Sequence, residues 1–287
     1  MLYVTGGRIR GQTHYANNVS SQDALIYVSH AGDMPIDIVA LADGHGSTKC
    51  FRSQIGAATA VNAVAATVFS HLAFNPAISA EYVQTALPNA VVDMWKSLIA
   101  NYHLAHPFTD AERQMVIKES CSQTFQEVLL DPLVAYGTTV LAAIVTSSHL
   151  IYMQLGDGDI LEVSQAREAH KIFDKTRPIL GDETDSLCLS GAASRFNICF
   201  HDRKDHAFKL IMLSTDGYSK SFKTDQDFRK VATDMAKLST EQGMHFIEQH
   251  LEEWLMEATS KGSGDDITCG LIVQCEDGIT QEPARST

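Results

Sequence analysis

The sequence lacks the cysteine patterns that mark zinc sites, redox motifs and disulfide-stapled domains. Its 287 residues include six cysteines, which form no CxxC pair and no His/Cys ligand spacing. We therefore expect buried, reduced thiols rather than metal ligands at these positions: Cys50, Cys121, Cys188, Cys199, Cys269 and Cys275.

Basic residues are also scarce. Lys and Arg number 22 against 35 Asp and Glu, which gives a formal net charge of −13. Because nucleic-acid phosphates are bound by clustered Lys and Arg, the sequence predicts no nucleic-acid partner. An excess of acids aids solubility, and it is also what carboxylates gathered around cations would produce.

Long hydrophobic runs, repeats and linkers are missing as well. We find no charge-free apolar stretch of the roughly 18 residues that a membrane span needs. The N-terminus MLYVTGGRIRGQ lacks the charged and apolar regions of a signal peptide. We therefore expect no membrane partner and a cytoplasmic location. Without a repeat or a low-complexity linker, the chain is predicted to be one domain over residues 1–275, followed by a polar tail at 276–287.

Short apolar runs rich in β-forming residues predict strands. Only three polar residues separate two of these runs, which indicates a β-hairpin and antiparallel pairing. The predicted strands are ALIYVS (24–29), IDIVALA (36–42), TTVLAAIV (138–145), HLIYMQL (149–155), FKLIMLS (208–214) and ITCGLIV (267–273).

Helical patterns lie between these strands. Residues 53–72 carry one, and residues 79–101 carry a second that Pro88 must kink or split. Two capping-box patterns, at Thr109 with Glu112 and at Ser239 with Gln242, predict helices of roughly 20 residues each. The second of these helices is expected to end near Gly262.

Strands and helices occur in clusters rather than in strict alternation, which favours an antiparallel α+β fold. The least regular stretch is 163–205, which contains FDKTRPILGDETDSLCLSG. Its polar and turn-forming content is typical of a lid over a site, and a plain surface connection fits it equally well.

Five aspartates stand at the ends of predicted strands. In an antiparallel sheet, the end of one strand lies beside the start of its neighbour, so these acids are expected to converge at one edge. Asp43, Asp157 and Asp216 follow the strands 36–42, 149–155 and 208–214, whereas Asp23 and Asp265 precede the strands 24–29 and 267–273.

Several carboxylates in one small volume repel one another unless cations neutralise them. Ligands that are all oxygen atoms favour Mg²⁺ or Mn²⁺ over zinc. Glycine at position 44 permits an unusual backbone angle and lets an ion approach its carbonyl oxygen without a Cβ in the way. A plain turn after the strand would also explain the Asp43–Gly44 pair.

The motifs that surround these acids resemble those of the PP2C-type (PPM) metal-dependent serine/threonine protein phosphatases, in their bacterial form. Each motif is weak alone, whereas their order and spacing over residues 22–268 are specific. They are QDA (22–24), ADGHG (42–46), YGTTV (136–140), LGDGD (155–159), LSTDG (213–217) and GDDIT (264–268). The resemblance implies a four-layer α-β-β-α sandwich of two packed antiparallel sheets flanked by helices.

The resemblance also implies roles for the acids. Asp43 would bridge two metal ions, Gly44 would offer its carbonyl to one of them, and Asp216 with Asp265 would complete the other. Asp23 matches the family's acid that holds metal-bound water, and Asp157 matches the acid that forms a third, weaker site with Asp216. The remaining acids of the motifs, Asp159 and Asp266, are interpreted as supporting or turn residues.

The implied reaction is hydrolysis of phosphoserine and phosphothreonine by a water that two ions activate. No cysteine stands in the loop of cysteine phosphatases and no GxSxG elbow is present, which agrees with a water nucleophile. His45 matches the family's proton donor to the leaving alkoxide. The alternative interpretation is a turn histidine packed at the rim.

One position departs from the family pattern. Relatives often carry a phosphate-binding arginine five residues before the acid that matches Asp23, and here that residue is Asn18. Arg10, Arg8 and Arg52 are candidates to replace it. Arg10 is favoured because GRIRG is predicted to lie on a strand that leads to the site.

The leading hypothesis is a phosphatase that acts on phosphorylated proteins and reverses the action of a Ser/Thr kinase. The alternatives are a pseudophosphatase that binds metal or phosphopeptide without turnover, a phosphatase of small molecules, and a calcium-binding structural protein. The last lacks the 12-residue loop ending in Glu that EF-hands use.

Overall fold

The fold is described from a computed structural model for residues 1–32, 35–75, 78–174 and 184–275. Within these residues ten strands form two five-stranded antiparallel sheets. The first sheet has the order β1 (Leu2–Ile9), β10 (Ile267–Gln274), β9 (Phe208–Ser214), β6 (Asp159–Ser164) and β7 (Ala169–Lys171). The second has the order β2 (Asp23–His30), β3 (Ile36–Asp43), β4 (Val140–Thr146), β5 (His149–Leu155) and β8 (Asn197–Asp202).

Helices cover the outer face of each sheet. They are α1 (Gln12–Ala16), α2 (Ser53–Phe74), α3 (Ala80–Thr85), α4 (Leu87–Ala105), α5 (Asp110–Glu119), α6 (Ser122–Leu130), α7 (Asp216–Ser219), α8 (Asp225–Glu241) and α9 (Met244–Lys261). Helix α2 packs on β2 and β3 with α4 beside it, whereas α9 packs on β1 and α8 on β6 and β9. The predicted α+β class and the four-layer α-β-β-α sandwich are confirmed.

Strand β3 shows why its sequence is almost continuously apolar. Ile38 and Ala40 belong to the core under α2, whereas Val39 and Leu41 belong to the core between the sheets. Both faces of the strand are therefore buried, so the alternation of apolar and polar residues that marks a half-exposed strand is lost. The run ends at Asp43, where the strand reaches the edge of the sandwich.

All six predicted strands are present, and β4 and β5 form the predicted hairpin, with Val145 opposite Leu150. Strands β6, β7 and β8 were not predicted, and the last two lie in the polar stretch interpreted as an excursion. Those two instead form the last strand of each sheet. The centre of that stretch and the predicted tail at 276–287 lie outside the described residues.

Two helix predictions need correction. The capping box at Thr109 is present, but α5 has 10 residues instead of roughly 20. Ser239 caps no helix: it lies in the last turn of α8, where its hydroxyl donates to the Ala236 carbonyl at 2.9 Å. The next helix, α9, follows Gly243 and ends before Gly262, as predicted. Pro88 lies in the first turn of α4 and separates this helix from α3. The helical pattern at 79–101 is therefore split at the proline, which is one of the two predicted outcomes.

Helix α2 departs from the expectation that no charge-free apolar stretch is long enough to cross a membrane. It has 22 residues without an acidic, lysine or arginine side chain, and its length and hydropathy alone would allow a span. Half of its most apolar window is buried within the protein. Its buried residues face β2, β3 and α4, which is the packing of a core helix.

Candidate active site at the shared edge of the sheets

The two sheets are joined at one edge by hydrogen bonds to Asp23. This residue begins β2 and lies directly opposite Asp43, the last residue of β3. Its Oδ2 accepts hydrogen bonds from the hydroxyls of Thr215 at 2.9 Å and Thr268 at 2.7 Å, both of which belong to the other sheet's end. Asp23 is 2% exposed, so these hydrogen bonds are buried. They fix the position of the two sheets relative to each other at this edge.

The end of β3 is held by the segment that precedes β4. The Asp43 carbonyl accepts from the Thr139 amide at 2.9 Å and from the Thr138 hydroxyl at 2.8 Å. The Thr139 hydroxyl in turn accepts from the Asp43 amide at 3.0 Å. The Asp43 backbone is therefore fixed, which leaves its carboxylate as the group free to bind a ligand.

Gly44 is required for a reason other than the predicted one. Its φ angle is not in the left-handed region, in contrast to Gly264 at +74°. A Cβ at Gly44 would stand 2.8 Å from the Ser53 carbonyl and 2.9 Å from that of Gln22. Close backbone packing therefore excludes a larger residue here, and the positive φ angle that glycine permits is not used.

Asp216 and Asp265 reach the same edge from the first sheet. Asp216 begins α7 directly after β9, and Asp265 precedes β10. A Cβ at Gly217 would stand 2.1 Å from the Asp266 carbonyl, so α7 lies in backbone contact with the turn that carries Asp265 and Asp266. The Asp265 Oδ1 accepts a hydrogen bond from the Asp266 amide at 2.9 Å.

The charges of these acids act on one another. Burial raises the pKa of Asp43 well above its ordinary value, and the charges of Asp23, Asp216, Asp265 and Asp157 raise it further. Burial raises the pKa of Asp23 to about 7, with smaller contributions from the charges of Asp266 and Asp265. The structure therefore brings the predicted acids into mutual electrostatic range, and their repulsion favours protons or cations at this edge.

The pKa values of Asp216 and Asp265 are raised in the same way. Burial raises the pKa of Asp216, and the charge of Asp157 adds to the shift. Burial also raises the pKa of Asp265, with a contribution from Asp216. Asp157 itself lies after β5 and accepts a hydrogen bond from the Thr184 hydroxyl at 3.2 Å.

The donor set fits hard divalent ions. Within the described ranges no three His, Cys, Asp or Glu side chains are already arranged as a metal site, so ions would have to draw the carboxylates together. The Asp23 Oδ1 is buried and, among the described residues, has no hydrogen-bond partner. A buried oxygen of this kind is costly unless a bound water or cation satisfies it. The oxygen ligands themselves suit Mg²⁺ or Mn²⁺.

The two supporting acids have the structural roles that the sequence suggested. Asp266 accepts from the amides of Gly11 and Gln22, both at 2.7 Å, and its Oδ1 lies 3.0 Å from the His14 Nδ1. It therefore anchors the chain on either side of α1. Asp159 is 3% exposed and forms an ion pair with Lys171 at 2.9 Å.

His45 lies two residues after Asp43, at the half-buried rim. Its amide donates to the Gly137 carbonyl at 3.1 Å. Its ring carbon Cδ2 would be 3.0 Å from a Cβ at Gly137. The ring therefore packs against the segment that holds Asp43, and this position agrees with both interpretations of His45.

The three candidate phosphate-binding arginines lie in different surroundings. Arg10 follows the last residue of β1, donates to the His14 carbonyl at 2.9 Å and lies over the Tyr15 ring. Arg8 donates to the Asp23 carbonyl at 2.7 Å. Arg10 as the phosphate ligand stays a prediction.

Arg52 is wrong as a candidate, because its donors are committed to the fold. It is 6% exposed and binds both carboxylate oxygens of Glu112, at 2.6 and 2.9 Å. It also donates to the His106 carbonyl at 2.6 Å, the Tyr136 hydroxyl at 2.7 Å and the Pro107 carbonyl at 3.0 Å. These five contacts use all five N–H groups of a guanidinium.

We expect Arg52→Met to lower the free energy of unfolding by about 2 kcal/mol or more, because it leaves Glu112 and Tyr136 without their charged partner. Urea unfolding followed by circular dichroism measures this change. Arg113→Met, at an exposed position of α5, is the matched control. Equal stability of the two variants would contradict the structural role.

Sequence reasoning missed Thr215, Thr268 and Lys220. The two threonines lie inside the motifs LSTDG and GDDIT, and they bind Asp23 rather than serve as neutral spacers. Lys220 forms an ion pair with Asp216 through its Nζ and the Asp216 Oδ2. Its spacing of four residues from Asp216 is the signal that would have indicated this contact.

Comparisons with known proteins bear on the family and the fold of this chain. The family model described as protein phosphatase 2C matches residues 10–256. A bacterial serine phosphatase has 17% identity and a TM-score of 0.60, with 97% of this chain and 100% of that chain covered. Serine/threonine phosphatase Stp1 from Staphylococcus aureus has 17% identity and a TM-score of 0.59, with 96% of each chain covered.

A third similar structure holds metal. The catalytic domain of the serine/threonine protein phosphatase PstP, in complex with two manganese ions, has 16% identity and a TM-score of 0.54, with 95% of this chain and 97% of that chain covered. A comparison with curated protein sequences gives no match. The structural likenesses establish the shared fold, and the family match covers most of the sequence. The chain therefore belongs to the protein phosphatase 2C family, as its motifs predicted, and is a phosphoprotein phosphatase of this type.

Proposed function

We propose that this protein hydrolyses phosphoserine and phosphothreonine in protein substrates and thereby counteracts a Ser/Thr kinase. Two Mn²⁺ or Mg²⁺ ions would be held by Asp43, the Gly44 carbonyl, Asp216 and Asp265. The proposal is supported chiefly by the convergence of acids from both sheets, whose charges jointly raise the pKa of Asp43. The oxygen-only ligand set fits hard cations.

When bound, the two ions would lower the pKa of a water molecule and neutralise charge on the phosphoryl oxygens. The chain's own part is to fix the ligands before substrate arrives. Thr138 and Thr139 hold the Asp43 backbone, and Thr215 and Thr268 hold Asp23. The Oδ1 of Asp23, which has no partner among the described residues, is suited to accept a hydrogen bond from an ordered water.

His45 is proposed to give a proton to the oxygen of the departing serine or threonine. An alkoxide is a poor leaving group, so a positioned proton donor contributes typically ~10²–10⁴-fold to the rate. The position of His45 at the rim, two residues after Asp43, supports this role. Nitrophenolate leaves without a proton, and this difference separates the role of His45 from a structural one.

We expect His45→Gln to lower kcat for a phosphothreonine peptide about 10²-fold and to change kcat for p-nitrophenyl phosphate much less. Steady-state kinetics with both substrates at saturating Mn²⁺ measure the two values. His149→Gln, on β5, is the control histidine. Equal losses on the two substrates would argue for the turn-packing interpretation.

The function itself is tested by turnover. Purified protein should release phosphate from phosphoserine and phosphothreonine peptides when Mn²⁺ or Mg²⁺ is present, lose this activity with EDTA and regain it when the metal is restored. Faster hydrolysis of free phosphorylated metabolites than of peptides would favour a small-molecule phosphatase. Peptide and metal binding without any turnover would instead support the pseudophosphatase.

A further inference from the structure

Lys220 places a positive charge beside the acids of the candidate active site. It follows α7, four residues after Asp216, and its Nζ forms an ion pair with the Asp216 Oδ2. The backbone sets the spacing of the two residues, because the Lys220 amide donates to the Asp216 carbonyl at 2.9 Å. The Asp216 side chain is 7% exposed and that of Lys220 is 60% exposed, so a buried carboxylate meets a cation that approaches from solvent.

The ammonium acts on more than one of these acids. Its partial burial would lower the pKa of Lys220, but the hydrogen bond to Asp216 and the charges of Asp216, Asp157 and Asp265 raise it instead. Lys220 in turn opposes the rise that burial and Asp157 cause in the pKa of Asp216. The lysine therefore offsets the negative charge on the side of the site that Asp216 and Asp157 form.

That side is where the resemblance of the motifs implied a third, weaker metal site. A divalent ion there would need the Asp216 oxygen that Lys220 now holds. The ammonium belongs to the same chain segment as the ligand, so unlike a free ion its local concentration does not depend on the metal concentration. A free ion must therefore displace a neighbouring charge before it binds, and like charges at this distance repel strongly.

We propose that Lys220 takes the place of a third metal ion, so that the wild-type protein binds two divalent ions and resists a third. The inference rests on the proposed function, since it assumes two metal sites at Asp43, Asp216 and Asp265. Removal of the ammonium should free the carboxylates of Asp216 and Asp157. A third ion should then bind at least ~10-fold more tightly than it does to wild type.

Isothermal titration of the full-length, metal-stripped protein with Mn²⁺ alone tests this stoichiometry. We expect two ions for wild type, three for Lys220→Met, which keeps most of the aliphatic side chain, and two for Lys220→Arg, which restores a cation. Lys230→Met is the matched control, because Lys230 pairs with Asp234 at 3.5 Å with the same four-residue spacing but on α8. Circular dichroism confirms that each variant is folded.

The outcomes separate this inference from the proposed function. Three ions in wild type, or two in Lys220→Met, would overturn the role of Lys220 while the two-metal site stands. A third ion in Lys220→Arg or Lys230→Met would overturn it too, because the gain would then be independent of the charge beside Asp216. If wild type binds no Mn²⁺, both the proposed function and the inference fail.

Discussion

Asp43→Asn is expected to lower kcat/KM for a phosphothreonine peptide about 10³-fold. The reason is that the charges of four other aspartates act on Asp43, which is the residue proposed to hold both ions. An amide carries no net charge and binds hard cations more weakly than a carboxylate does. Metal ions contribute several kcal/mol to such reactions, and each 1.36 kcal/mol is about tenfold in rate.

The assay is phosphate release at saturating Mn²⁺, with metal content measured in the same samples. Asp37→Asn is the control, because Asp37 lies on the same strand at the opposite end and binds only the Ser29 hydroxyl in the described structure, at 2.6 Å. A variant at position 43 that keeps wild-type kcat/KM would refute the two-metal site. Loss of activity in both variants would point to a folding defect instead.

Mn²⁺ is expected to raise the melting temperature of the metal-free protein by about 10 °C. A ligand at 100 times its dissociation constant stabilises a folded protein by about 2.7 kcal/mol, so two ions give about 5 kcal/mol. In a protein of this size each kcal/mol corresponds to roughly 2 °C. The physical source is the relief of repulsion among carboxylates whose pKa values burial and neighbouring charges have raised.

The same repulsion predicts that Asp43→Asn, which lowers activity, stabilises the metal-free protein. Without metal, Asp43→Asn should melt at a slightly higher temperature than wild type, because one of the mutually repelling charges is gone. The rise in melting temperature that Mn²⁺ causes should be about half or less of the rise in wild type. Differential scanning fluorimetry at matched ionic strength, adjusted with NaCl, separates ion binding from screening. A NaCl shift as large as the Mn²⁺ shift would contradict specific binding.

Six strands of the two central layers were predictable because their signals are local. Runs such as IDIVALA are apolar on both faces and are bounded by turn residues, which identifies a buried strand wherever it packs. Strands β7 and β8 carry no such signal. Their residues are polar or half-exposed, and they become strands because the edges of the sheets offer them free hydrogen-bonding groups.

The helix errors have a similar cause. Ser239 with Gln242 matches the capping-box pattern, but Ser239 lies within α8, whose own cap is Thr224. A short motif reports only the local preference of its residues, and packing against the sheet decides how far a helix continues. The pattern at Thr109 was correct because it coincides with the true start of α5.

The sequence by itself determined the family, the sandwich of two antiparallel sheets and the acids at the strand ends. Apolar runs and motifs are patterns of neighbouring residues, and the order of the motifs can be read along the chain without knowing which segments meet. Only the tertiary structure decided what each polar side chain contacts. Asp23 binds threonines that are 192 and 245 residues distant, and Arg52 binds Glu112 across 60 residues. The glycine at position 44 is needed for close packing against another segment. Such contacts depend on segments that meet only after folding, so no local pattern could indicate them.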